Sequence, residues 1–113
     1  MSKAEREIRY VAFIADCIEH IRSYLPESES EFMADAQCQD AIVWRLQSIA
    51  DAARNHLSDE LKARHTGINW RDVYGFRNIA AHQYADINLD LVWEIATVHL
   101  AMLEAAMREE AGR

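Results

Sequence analysis

The stretch INWRDVYGFRNIAAHQYADINLDLVWEI, residues 68–95, decides how the rest of the chain is read. Trp70, Val73, Phe76 or Arg77, and Ala80 or Ala81 keep helical spacing, which predicts a helix over 69–83. Gly75 inside it costs about 1 kcal/mol relative to Ala. A residue that small predicts close approach by another backbone. Ala85-Asp86-Ile87-Asn88 is a short connection, and the last helix follows over 89–110. Leu91, Ile95, Val98 and Met102 form one seam of that helix, while Val92, Trp93, Leu100, Leu103 and Met107 spread apolar surface round the cylinder. So much apolar surface in so small a domain calls for a second copy or a partner on the other face.

Upstream, the same period recurs. Ile8, Val11, Ile14, Ile18, Ile21 and Leu25 step by threes and fours, predicting a helix over 3–25 that Pro26 ends. Ser28 and Ser30 are candidate caps for a short turn with Phe32 and Met33. A second long helix is expected over 35–57, with Ile42, Leu46, Ile49, Ala53 and Leu57 inward. Ser58-Asp59-Glu60 reads as the cap and acidic first turn of a brief helix, stopped by Thr66-Gly67. The sum is one all-α domain over 1–113, an antiparallel four- to five-helix bundle.

Composition agrees: half of the 113 residues are apolar, with only 3 Gly and 1 Pro. A domain of that size buries roughly two-thirds of its unfolded surface and needs no covalent staple. Cys17 and Cys38 stand in no metal or redox spacing and read as reduced, buried thiols. His20, His56, His65 and His99 share no ligand spacing, so no metal or other cofactor is expected. The charged start MSKAEREIRY lacks the apolar core of a signal peptide, and no run of about 18 apolar residues occurs. Cytoplasmic residence without a membrane anchor is expected.

The net charge of -7 sits awkwardly with a phosphate-bearing partner. It is uneven, though. Between positions 62 and 82 stand Lys62, Arg64, Arg71 and Arg77 against Asp72 alone, so an anion site is expected there. His65 beside Lys62 and Arg64 reads as a solvated basic turn, with the rim of an RNA groove as the sharper alternative. Trp70 and Trp93 read as core or interface anchors, and Trp44 as either buried or interfacial.

Arg77, His82 and Tyr84 form an R-x4-H-x-Y motif. Its chemistry suits phosphodiester cleavage without a metal. His takes or gives a proton near neutrality. Arg grips a phosphate oxygen and offsets the charge that grows in the transition state. In RNA the neighbouring 2′-hydroxyl supplies the nucleophile. Geometry adds a condition: five residues place Arg77 and His82 about 140° apart on a straight helix. Either the helix distorts, or a second subunit at a C2 axis completes the site.

In context, residues 68–95 resemble the core of HepT-like proteins of the HEPN superfamily. There a Trp precedes Gly-x-Arg-Asn, His-x-Tyr and a segment ending in Val-Trp. Ser30-Glu31-Phe32 and Asp40-Ala41-Ile42-Val43-Trp44-Arg45-Leu46 look like its earlier helices, so the likeness spans about the whole chain. The resemblance implies a HEPN-type homodimer acting as a metal-independent endoribonuclease toxin on RNA. Arg77 and His82 take the catalytic positions, with Asn78 supporting. It also implies a minimal nucleotidyltransferase antitoxin as partner, which adds AMP to Tyr84. The alternative is a non-catalytic HEPN subunit that binds nucleotide or partner within a nucleotidyltransferase complex; a purely structural helical adaptor is a third. Two departures stand out. Ala50-Asp51-Ala52 replaces a frequent Gly-Glu-Ala, and Thr66-Gly67-Ile68-Asn69 replaces a segment that often holds Pro. On this reading Asp51 receives no role.

Overall fold

A computed structural model describes residues 1–79 and 87–113. Among them the regular structure is entirely helical: α1 (Lys3–Tyr24), α2 (Glu29–Met33), α3 (Ala36–His56), α4 (Asp59–Ala63), α5 (Trp70–Gly75), a 3₁₀ turn (Phe76–Ile79), α6 (Leu89–Val98) and α7 (Ala101–Ala111). Side-chain caps set most starts. Ser2, Ser28, Asp35, Ser58, Asn69 and Asn88 each accept a hydrogen bond from the backbone N–H three residues on. The Glu31 carboxylate accepts from the N–H of Glu27, one residue before the Ser28 cap, at 3.2 Å.

The long helices run antiparallel. Cys38 Sγ donates to the Tyr24 carbonyl at 3.3 Å, joining the end of α1 to the start of α3. At the opposite end Tyr10 and His56 stack with ring centroids 3.7 Å apart. α7 lies on the other flank of α1, again antiparallel. Arg22, late in α1, pairs with Glu104, early in α7. The core fills the space between: Ile14, Ile18 and Ile21 of α1, Ile42, Leu46 and Ile49 of α3, Phe32, and Met107 are fully buried. Each such side chain contributes roughly 1.5–3 kcal/mol.

Five expectations change. The helix over 69–83 stays α-helical only to Gly75 and then tightens to a 3₁₀ turn; positions 80–83 lie outside the described residues. Gly75 supplies the weak point, but among the described residues no backbone approaches it. A Cβ built there meets nothing within 4 Å. The helix over 89–110 is two helices, broken at His99-Leu100. Thr97 back-bonds to the Trp93 carbonyl at 2.7 Å, a contact that bends helices, and Leu100 turns into the core. The seam of that segment is also split, with Ile95 buried and its other three members outward. Val92, Leu100, Leu103 and Met107 are buried, whereas Leu91, Val98 and Met102 are exposed. Finally, Ile8 is exposed, because it sits about 115° round α1 from the centre of the buried stripe that begins at Val11.

Both cysteines are free and buried, and burial pushes the Cys17 thiol above its ordinary value. No described helix is long and apolar enough to cross a membrane.

Candidate active site

The 3₁₀ turn is what presents Arg77. In a 3₁₀ helix residues i and i+3 eclipse, so Phe76 and Ile79 share one side, and Val73 continues that side into α5. Val73 and Phe76 are buried and Ile79 is half-buried, all against the core. Arg77 and Asn78, between them, are therefore driven outward, and both are exposed. Trp70 fixes the other end of this short unit: its indole N–H donates to the Lys62 carbonyl at 3.3 Å, tying α5 to α4. Trp93 packs its ring 5.4 Å from Phe32. Both tryptophans act as anchors, as their sequence context predicts.

Across from the turn lies α3. Arg77 Nε stands 3.4 Å from Asp51 Oδ1, and both side chains are more than half exposed. Asp51 is thus a site neighbour, contrary to the expectation that it has no role. The signal in the sequence was slight: an acid at the position where the resembled family often carries Glu. A solvated pair of this kind is worth about 0–1 kcal/mol. It orients the guanidinium without committing it. Among the described residues no partner takes the Nη1–Nη2 edge of the fork.

The remaining cations of the basic stretch are differently employed. Lys62 Nζ lies 5.0 Å from the centroid of the Tyr74 ring. Arg64 stays exposed but paired, and the His65 side chain is largely buried rather than solvated. Arg64 donates to Glu110 through Nε at 3.1 Å and Nη2 at 2.6 Å, and His65 Nε2 donates to the same carboxylate at 2.6 Å. Glu110 is buried and held at about 2, well below its ordinary 4.5. Arg64's hydrogen bonds are the main cause, outweighing burial, and His65 adds to them. Sequence reading missed Glu110, although it stands in the apolar register of α7, three beyond Met107 and seven beyond Leu103.

A groove of about 470 Å³ runs from the 3₁₀ turn to α6 and α7, walled by Phe76, Ile79, Leu91, Ile95 and Met102, with Arg71 and His99 at its polar edge. It joins the Arg77 unit to the exposed apolar line of α6–α7. His82 and Tyr84, the other two residues of the motif, lie outside the described residues. Among those described, no three His, Cys, Asp or Glu side chains stand close enough to hold a metal ion.

A helical bundle that presents the Arg of R-x4-H-x-Y on a turn against its central helix defines a HEPN-type domain. The particular family follows from comparison. The profile of the ribonuclease HepT-like family matches residues 14–110, and the chain belongs to that family. It is 28% identical over 120 residues to the mRNA nuclease HepT of Shewanella oneidensis, covering 86% of this chain and 90% of that one. It is 28% identical over 86 residues to a probable ribonuclease HepT of Thermococcus cleftensis, covering 75% and 77% of the two chains. A Methanocaldococcus jannaschii protein named for gamma-glutamylcyclotransferase with an RNase assignment is 28% identical over 96 residues; this chain spans 43% of its length. No solved structure matches the chain.

Proposed function

We propose that this protein is a metal-independent endoribonuclease toxin that cuts RNA with Arg77 and His82. The observation that carries the reading is the placement of Arg77, turned outward on the 3₁₀ turn and facing, among the described residues, one solvated carboxylate. An incoming phosphate displaces so weak a contact readily and takes the open edge of the fork. His82 removes the proton from a 2′-hydroxyl, whose oxygen attacks the adjacent phosphorus. The bond to the 5′ oxygen breaks, and that oxygen leaves with a proton from an imidazolium. The products are a 2′,3′-cyclic phosphate and a 5′-hydroxyl. Arg77 offsets the charge on the phosphorane, and Asn78 supports it from the next position.

A C2 homodimer belongs to this reading. Leu91, Val98 and Met102 leave an apolar line that one copy does not cover, and the groove connects that line to the Arg77 turn. Two motifs then face one cleft. Control by a minimal nucleotidyltransferase antitoxin through AMP on Tyr84 fits the same site. The adduct adds bulk and negative charge where RNA phosphate must sit.

Wild type and His82→Ala are incubated with total RNA in EDTA. Cleavage by the wild type alone is the expected result, and cleavage that persists in a folded His82→Ala dimer removes His82 from the mechanism. An inert wild type is resolved by mass spectrometry. An AMP-sized adduct on Tyr84 identifies a silenced enzyme. An unmodified inert protein points to the non-catalytic nucleotide-binding subunit, which the net charge of -7 favours.

A further inference from the structure

The outward line of α3 carries Asp40, Trp44, Ser48 and Asp51. Asp51 meets Arg77. Trp44 is seven residues earlier, on the same face, and about 10 Å along the axis. It is neither buried nor packed into the bundle: 56% of it is exposed. Arg45 lies against its ring, with Cζ 5.0 Å from the centroid. That guanidinium is tethered from behind, its Nη1 3.7 Å from Cys17 Sγ of α1. A large aromatic left in water, steadied by a fixed cation and aligned with the phosphate-gripping Arg, is the arrangement single-stranded nucleic acids use.

We propose that Trp44, backed by Arg45, is a stacking platform for a base of the RNA strand whose scissile phosphate sits at Arg77. The proposal rests on the ribonuclease reading above. The separation of about 10 Å corresponds to roughly three nucleotides of a stacked strand at ~3.4 Å each. Trp44 therefore takes a base a few positions from the cut. The acids on this line fix the orientation: Asp40 and Asp51 repel phosphates, so the bases rather than the backbone face α3 between Trp44 and Arg77. Stacking is indifferent to base identity, so the platform lengthens the preferred substrate without selecting its sequence. A second copy of the chain is the poorer occupant. An interface core is contiguous and apolar, as on the Leu91–Val98–Met102 line, whereas Trp44 stands alone among Asp40, Ser48 and Asp51.

The test compares wild type, Trp44→Ala and Trp44→Phe on a decanucleotide and on a dinucleotide too short to reach Trp44. The expected result is that the ratio of kcat/KM for long over short substrate falls roughly tenfold in Trp44→Ala and returns largely in Trp44→Phe. An equal fall on both substrates, an unchanged ratio, or a dimer that dissociates in light scattering overturns the platform. Titration with a 2′-O-methyl decanucleotide, which lacks the nucleophile, separates this proposal from the one beneath it. Binding that weakens in Trp44→Ala, by a wild type that cuts nothing, keeps the platform and sinks the ribonuclease. A wild type that cuts RNA but binds as well without Trp44 does the reverse.

Discussion

Arg64 and Arg77 stand thirteen positions apart in the same basic stretch, and the fold uses them in opposite ways. Arg64 closes both arms of its fork on Glu110, a buried carboxylate that His65 also holds. Arg77 offers one nitrogen to Asp51 across 3.4 Å of solvated surface. The first arrangement is saturated: its carboxylate has lost its water and cannot release its partners without being stranded. The second is loose, and on the proposed reading a phosphate replaces Asp51 at little cost. A cluster of cations in a sequence marks where an anion sits. The partner's burial decides whether that anion is the protein's own or comes from outside.

The contrast predicts separable losses. Arg77→Ala is expected to lower RNA cleavage by about 10²–10³-fold, and His82→Ala by about 10²–10⁴-fold. Arg77→Ala should leave stability within about 0.5 kcal/mol, as for other exposed positions. Cleavage rates measured beside thermal melts check both halves. A large drop in Tm for Arg77→Ala would mean that the 3₁₀ turn depends on the ion pair, and the contrast would fail.

Glu110→Gln should behave in the opposite way, costing about 2 kcal/mol through weakened charged hydrogen bonds. In a domain of this size that lowers Tm by roughly 8 °C. Cleavage per folded molecule should stay close to wild type. The same carboxylate sets an acid limit. Its folded value of about 2 lies below the ordinary 4.5, so its contribution is complete above about 4.5 and is lost as pH falls toward about 2. Denaturant melts across that window should show wild-type stability falling toward that of Glu110→Gln. Parallel curves would show that Glu110 is not the titrating group.

The sequence made the bundle legible because its signals are local and redundant. The starts of α1 to α6 are written in Ser, Asp or Asn caps, and apolar stripes fix the faces of α1 and α3. The misreadings fall where such signals are missing. α7 starts at Leu100 without a side-chain cap, so its boundary with α6 left no mark. The change to a 3₁₀ turn at Phe76 follows from Gly75 and from the burial of Phe76 and Ile79 three apart, and burial is a tertiary fact. Arg77 was singled out in the sequence by its motif. Its neighbour was not, because Asp51 reaches it across two elements, and no periodicity reports such pairs. Arg64 and Glu110 are 46 positions apart and escaped for the same reason.

The smallest effect belongs to Asp51, and it tests the loose side of the comparison directly. If the carboxylate only steadies the guanidinium, Asp51→Asn retains an acceptor at the same place and should change kcat/KM by no more than about fivefold, the size of an exposed ion pair. Two influences oppose each other within that limit. Losing the charge removes a competitor for Arg77 and a repulsion toward RNA phosphate, which lowers KM. Losing the ion pair lets the side chain wander, which lowers kcat because the transition state needs the fork already aimed. Orientation should prevail when substrate saturates, and repulsion when it is dilute. Asp51→Asn is thus expected to show reduced kcat together with reduced KM, and the KM advantage should fade as salt screens the repulsion. A fall in kcat of a hundredfold or more would make Asp51 a catalytic partner of Arg77.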